Sequence, residues 1–523
     1  MKAAGRTLDH GQFSSVVALG RNVALGFGGS ISSALLGFVL TLVVAHGLGA
    51  SGAGTFFVAL AVFGILGSVM TFGADVGAVR TISSYQALGR NDELGAVVWA
   101  AVLPVAAVSA VVGVAFFGVS PQLAELVADG REREELEATL RFLAVFLPLT
   151  GVSSVLLAAT RGFGTMVPYV ATEQIAKPLV RPLAVGGAIV LGGGAAAAVF
   201  AWAAPIAVSA LVGGLWVLVL LRRAGRGTAR PRRLPTRALT AEFWRFSAVR
   251  GLASVFQTLT NSLDVVLVAA LASPADAGIY AAVTRLLRVG GLAQRALILA
   301  LGPRISALLA VGDRDGAQLL YRVSTTWLVA ISFPAYLLLA AASPTVVQIF
   351  GDDFGPGAVP LTILSLAMLV NMGTGPVTTI LLMAGKATWN LGNTAGSLVI
   401  NVALNLLLIP PFGLTGAAIA WSAAILFENL VPAFQIARSL RLHPLSAGLL
   451  FFAAAAIVCF GGGGLVAQLL LDGSPSAFAA VATIGAAVYG GVVWRWRGPF
   501  ALDALWEAVR LPRRASARPA SVG

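Results

Sequence analysis

Charge is scarce in this 523-residue chain: Asp, Glu, Lys and Arg together make up 11% of it, against 58% hydrophobic residues and a mean hydropathy of +0.89. A water-soluble protein carries about twice that share of charge, so the composition excludes a soluble enzyme and puts the chain in a bilayer. There is one cysteine, Cys459, inside the apolar run AAAAIVCFGG. No intrachain disulfide can form, and the thiol reads as a small packing residue. The three histidines, His10, His46 and His443, are scattered over loops and ends. They offer no Cys/His metal cluster and no base for a nucleophile. The phosphate-cradling pattern G-x-x-x-x-G-K-[ST] is missing, which argues against ATP hydrolysis. On the span assignment below, no outer loop exceeds roughly 20 residues. A polytopic glycosyltransferase, polymerase or ligase would need a sizeable aqueous loop, so a transporter is favoured over an enzyme, with no catalytic residue, metal or cofactor expected.

Long apolar runs recur instead. Segmentation at Gly, Pro and charge predicts an all-α polytopic membrane protein of about fourteen spans. They fall at 22–46, 53–79, 95–118, 139–160, 166–191, 196–221, 244–271, 276–301, 321–343, 357–383, 390–410, 413–437, 446–471 and 476–494. The opening MKAAGRTLDHGQFSSVVALGRN lacks the compact apolar core and small-residue cleavage site of a removable signal, so the first helix is expected to stay in the membrane.

The formal charge of +13 lies in short connections and the tail. That pattern fits an anionic inner leaflet better than nucleic acid, and no nucleic-acid partner is expected. Arg80 and Arg90, Arg161, RRAGRGTARPRRLPTR at 222–237, Arg304, Arg314 and Arg322, Lys386, Arg438 and Arg441, and the tail from Arg495 to Arg518 all fall on one side. The intervening loops read SPADA, GDDFGPG and LDGSPS; ADGREREELEAT has two arginines but more glutamates. The alternation predicts an even number of spans, with both termini cytoplasmic.

An internal repeat runs through the same frame. SGAGTFF from Ser51 returns as ADAGIYA near 275, an offset of 224, and ISSYQALG from Ile82 returns as ISALLAVG from Ile305, an offset of 223. Arg21 and Arg245 share the step. Two parallel six-span lobes related by a pseudo-twofold are therefore expected at 1–221 and 244–437. A basic linker at 222–243 would join them, followed by a helix pair at 446–494 and a basic tail at 495–523.

Polar residues interrupt these runs in ordered stripes. Arg285, Arg288 and Arg295 occupy one face of span 8 within an arc of about 80°, the first two about 13 to 18 Å along it. An arginine at the bilayer centre costs about 2.5–3.5 kcal/mol, so the three are expected to line a wet cavity. In span 7, Arg250, Ser254, Gln257, Asn261 and Asp264 follow at steps of four and three, again one face. Span 11 carries Asn390, Asn393, Ser397, Asn401 and Asn405. Span 5 carries Glu173, Lys177 and Arg181, and Glu428 is alone in span 12. Each has a purely structural alternative. The span 5 trio can be an intrahelical ladder, the Ser/Asn faces can serve helix packing, Arg250 and Arg295 can snorkel, and Asp264 can pair with an arginine.

With LGASGAGTFF and FGADVGAVRTIS in the first half, RGFGTMVPY after span 4, and NSLDVVLVAALASPADAGIYAAVTRL over spans 7 and 8, the chain resembles the polysaccharide biosynthesis proteins. These are the oligosaccharide flippases of the multidrug/oligosaccharidyl-lipid/polysaccharide (MOP) exporter superfamily. Asp264, Gly278, Tyr280 and Arg285 occupy positions of the last motif. The resemblance implies fourteen helices and alternating access, with a lipid-linked oligosaccharide carried from the cytoplasmic to the outer leaflet of the cell membrane. On that footing Arg285 and Arg288 would bind a polyprenyl pyrophosphate, and Arg295 and Arg250 would draw it in. Gln257, Asn261, Asn393 and Asn401 would bond sugar hydroxyls, while Asp264, Glu173, Lys177, Arg181 and Glu428 would serve coupling to H+ or Na+, or gating. A monomer would suffice. A lipid II flippase and a multidrug extruder share the architecture, but organic cations call for a carboxylate-rich cavity.

Overall fold

The computed structural model describes residues 10–128, 130–225, 234–470 and 474–496, with side chains from Gly28 onward except at a few positions, Arg131 and Arg295 among them. The middle of the basic linker (226–233) and the tail from 497 lie outside the described residues. Every described element is a helix, and ten stretches are long and apolar enough to cross a membrane. The chain divides into two compact units, Met1–Arg285 with Asn405–Leu414, and Leu286–Leu404 with Thr415–Gly523.

The first unit holds α1 His10–Thr71, α2 Ala74–Ala87, α3 Leu94–Val127, α4 Gly130–Gly162, the short α5 Val167–Tyr169, α6 Lys177–Val190, α7 Ala195–Ala203, α8 Pro205–Ala224, α9 Arg237–Leu271 and most of α10 Pro274–Gly290. The second holds α11 Leu292–Ala310, α12 Arg314–Ala341, α13 Ser343–Val347, α14 Ala358–Thr374, α15 Val377–Met383, α16 Ala387–Ser439, α17 Ala447–Ala456, α18 Gly463–Leu470 and α19 Pro475–Trp496; the tip of α16 belongs to the first unit.

The apolar runs are helical as expected, but several expected spans are broken. Spans 1 and 2 meet at a break within α1 at Gly49, and the second ends at Phe72–Gly73 rather than at 79. Gly73 has φ 77° and lies against the backbone of Ser247 and Gly251, where a side chain would collide; both the turn and the approach require glycine. Span 8 is interrupted at Gly291, so Arg285 and Arg288 stand on α10 and Arg295 on α11, and the three do not share one continuous helical face. Span 10 breaks at Gly375–Pro376 between α14 and α15. Proline supplies no N–H to continue the ladder, and Gly375 takes φ 74°. Spans 5 and 13 contain wide π-helical turns at Val170–Ala176 and Ile457–Gly462. Spans 11 and 12 are the two arms of α16, folded at Gly413.

In the first unit α3 packs along α4 through small residues: Gly113 faces the Ala144 carbonyl, and Gly151 faces Val105 and Ser109. The core beneath α2 and α3 is Ala74, Ala78, Ile82, Leu94, Val97 and Ala101, closed by Val155 and Phe243. Val114, Leu183 and Leu191 point outward, as lipid-facing residues do.

One crossing in this unit is reciprocal. A Cβ on Gly54 of α1 would strike the carbonyl of Pro274, and one on Gly278 of α10 would strike the carbonyl of Ala50 and the backbone of Gly54. Each glycine sits on the carbonyl four residues before the other. The two pairs, 54 with 278 and 50 with 274, differ by 224, the step of the sequence repeat.

Candidate functional site

Three clusters gather the polar residues. In the first, α9 presents Arg250, Ser254, Gln257 and Asn261 as an exposed stripe that ends in the buried Asp264. The carboxylate of Asp264 accepts hydrogen bonds from two other helices: Asn405 Nδ2, at the tip of α16, reaches Oδ1 at 3.0 Å, and the Tyr280 hydroxyl of α10 reaches Oδ2 at 3.3 Å. Tyr280 and Asn405 are themselves buried. Three helices are thus tied by one carboxylate at membrane depth, where a polar group without partners is costly.

One and a half turns beyond Tyr280, half-buried Arg285 lies over the ring of Phe57, its guanidinium carbon 3.8 Å from the ring centroid. The ring face attracts the cation and keeps the guanidinium over it. Arg288, one turn along α10, is exposed. The side chain of Arg295 lies outside the described residues.

The second cluster follows the π turn before α6. Lys177 Nζ is 2.6 Å from Glu173 Oε1, with side-chain exposures of 7% and 27%. Arg181, one turn further along, feels the Glu173 charge but makes its bonds elsewhere. It donates from Nε to the Trp202 carbonyl at 3.1 Å and lies 3.8 Å over the Trp202 ring. Next to Glu173, Gln174 donates to Ser30 Oγ of α1 at 3.2 Å. Lys177→Met removes the cation bonded to Glu173 and is expected to cost about 2 kcal/mol, below the usual figure for a fully buried pair because Glu173 keeps some water and the Arg181 charge stays nearby. Glu173→Gln/Lys177→Met should recover most of that loss in a thermal melt. If transport stays absent in the stable double variant, the pair has a role beyond holding α6.

The third cluster is in the second unit. Asn393 and Gln435, on the two arms of α16, form a reciprocal amide pair at 2.8 and 3.0 Å, and Ser397 donates to the Ala424 carbonyl at 3.1 Å. Asn401 is fully buried on the same face. Glu428 lines a cavity at the α14–α15 break with Asn371, Asn429 and Gln294. Sequence reading passed over Phe57, Gln294, Asn371, Asn429 and Gln435. Asn371 had a signal, since it precedes the helix-breaking GTGP; Phe57 had none, because a stacking partner for a distant arginine leaves no mark in periodicity.

A polytopic helical bundle with cations and amides clustered at membrane depth is the build of a membrane transporter. The inward-facing multidrug resistance MATE transporter of the MOP superfamily superposes with a TM-score of 0.65 at 14% identity, over 78% of this chain and 95% of its own. The lipid II flippase MurJ, in an inward closed conformation, gives 0.68 at 11%, over 90% and 98%. A MOP transporter from Pyrococcus furiosus, described as having a binding pocket of reverse polarity, gives 0.55 at 16%, over 84% and 96%. At these identities the likeness is one of fold. No curated protein matches by sequence. The profile of the polysaccharide biosynthesis proteins matches residues 19–309, more than half of the chain, and the chain belongs to that family.

Proposed function

We propose that this multi-pass membrane protein flips a polyprenyl-pyrophosphate-linked oligosaccharide from the cytoplasmic to the outer leaflet for cell-surface polysaccharide export. It would act as a transporter without catalytic chemistry of its own. The observation that carries the reading is the pair Arg285 and Arg288 on α10, three residues apart, the first laid on Phe57. A pyrophosphate bears two or more negative charges, and the guanidinium fork meets phosphate oxygens with several donors at once. Arg250 and Arg295 draw the headgroup in from the inner side. Gln257 and Asn261, exposed on α9, take sugar hydroxyls, with Asn393 and Asn401 as further amide donors. The lipid tail stays in the bilayer. Two arginines are the wrong charge for an organic cation, which weighs against drug extrusion.

In this reading the chain crosses the membrane fourteen times with both termini inside. Its lobes are 1–221 and 244–437, the linker is 222–243, the last helix pair is 446–494, and one copy suffices. Glu173, Lys177, Arg181, Asp264 and Glu428 couple the cycle to H+ or Na+, or gate it, and the membrane potential adds about 2.3 kcal/mol per charge per 100 mV. Deleting the gene in its host, feeding a radiolabelled sugar and probing each leaflet tests the reading. Complete lipid-linked oligosaccharide should accumulate on the inner leaflet. Unchanged glycans with raised sensitivity to cationic compounds would replace it with drug extrusion.

A further inference from the structure

Where α3 and α4 pack side by side they leave an open groove of about 290 Å³. Its floor is made of small residues, Ala110 and Gly113 on α3 and Ala144 on α4, and a Cβ on Gly113 would stand 3.0 Å from the Ala144 carbonyl. Val114, Phe117 and Val145 form its sides and are exposed. Pro148 closes the far end. The lining positions recur at steps of three and four on both helices, so the groove follows the helix axes. From the level of Arg141 to that of Pro148 it runs about 10 Å.

The near end is charged. Arg141 stands on the same stripe of α4, three and four residues before Ala144 and Val145, and its guanidinium carbon is 5.5 Å from the centroid of the Phe117 ring. Arg141 Nη1 is 2.8 Å from Glu137 Oε1, one turn further from the groove, and both side chains keep some exposure, 43% and 22%. The sequence changes character at this point. Residues 130–141 read GREREELEATLR, whereas 142–160 read FLAVFLPLTGVSSVLLAAT without a single charge. Arg141 therefore marks the level at which α4 enters the hydrocarbon, and the groove runs inward from there.

Apolar groove, then cation, then carboxylate is the order of a phospholipid read from its chain outward: acyl chain, phosphate, amine. Arg141, nearer the groove, faces the phosphate and has donors beyond the one given to Glu137. Glu137, about 6 Å further out along α4, faces the positive group carried past the phosphate. Arg133, another turn out, is bonded to Glu125 of α3 at 3.1 Å, so the two ion pairs leave no net charge and a simple anion gains nothing from them. An ammonium donates hydrogen bonds to a carboxylate, a quaternary amine has none to give, and a glycerol head brings no cation.

We propose that the α3–α4 groove is a binding site for one phosphatidylethanolamine of the surrounding bilayer, with an acyl chain along the groove, the phosphate at Arg141 and the ammonium at Glu137. The site goes beyond the flippase reading and does not rest on it.

The test uses the purified full-length protein, stripped of lipid in a mild detergent. Native mass spectrometry follows retention of palmitoyl-oleoyl phosphatidylethanolamine, phosphatidylglycerol or phosphatidylcholine, added at equal concentration. The first copy of phosphatidylethanolamine should be held about tenfold more tightly than the other two, the discrimination of one charge-assisted hydrogen bond. Glu137→Gln should bring it down to the level of phosphatidylcholine, and Arg141→Gln should weaken all three. Ala110→Leu, which fills the groove from an exposed position, should abolish the retention, while Leu183→Ala on the lipid-facing side of α6 should leave it unchanged. Thermal melts in the same detergent show that each variant is folded. One comparison needs no variant: soluble glycerophosphoethanolamine, the head without its chains, should not displace the lipid. Displacement by that head, equal retention of the three lipids, a preference that survives Glu137→Gln, or retention that survives Ala110→Leu would each overturn the site. So would a dimer that Ala110→Leu dissociates, since a second copy would then occupy the groove. No lipid-linked sugar is present, so any of these results leaves the flippase reading standing.

Discussion

Cells carrying Arg285→Ala/Arg288→Ala should contain the protein at the wild-type level and leave their lipid-linked oligosaccharide on the inner leaflet, with translocation lowered at least about 100-fold. Charge-assisted hydrogen bonds to a phosphate contribute about 1.5–3 kcal/mol each, so the loss of two guanidinium groups removes roughly 3–6 kcal/mol of binding. Folding should be spared, since the substitution takes two charges out of an apolar setting rather than putting them in. Two further variants separate charge from geometry. Arg285→Lys keeps the charge but loses the planar fork and should retain a small part of the activity. Phe57→Leu keeps Arg285 but removes the ring beneath it, and should weaken transport by a factor of about 5 to 30, in line with a cation–π contact of 1–2 kcal/mol. Leaflet-resolved extraction of the labelled glycans reads all of these. Full activity of the double variant would dismiss the two arginines as the anion site.

The largest expected effect on stability is at the crossing of α1 and α10. Gly54→Val and Gly278→Val each place a branched side chain into the backbone of the opposite helix, where no flexible side chain can yield. Either should cost more than about 4 kcal/mol and abolish a monodisperse folded protein in detergent, as seen by size-exclusion chromatography. Gly118 of α3 has open space around it, so Gly118→Ala should be neutral or slightly stabilising and serves as the control. A Gly54→Val protein that melts like the wild type would mean that the two backbones separate without penalty.

Much of the fold was legible because a bilayer leaves a chain few options. Every backbone group must be satisfied within the span, so an apolar run of the right length is helical almost by necessity. The breaks were less visible. Gly375–Pro376 and Gly291 stand in the sequence as candidate interruptions, but glycine is common throughout this chain, with 60 in all, and most glycines sit inside intact helices. What singles out Gly73 is the backbone of Ser247 lying against it, a neighbour 174 residues away in sequence (247 − 73).

The candidate site divides in the same way. Stripes on a single helix, such as Arg250 to Asp264, could be read from spacing alone. Partners on other helices could not: Asn405 and Tyr280 for Asp264, Phe57 for Arg285, Gln435 for Asn393. Nor could periodicity show that Arg295 is on a separate helix from Arg285, because the count of residues continues across Gly291 while the helix does not.

The reciprocal contact of Gly54 and Gly278 has the form of an isologous interface, in which one surface meets its own copy. In a homodimer such a contact cannot be altered on one side alone, because a single codon specifies both. Here the two sides are separate stretches of one chain, so each can be altered alone. Both sides keep glycine at the contact, while the residues before it differ, Ala50, Ser51 and Gly52 on one side against Pro274, Ala275 and Asp276 on the other.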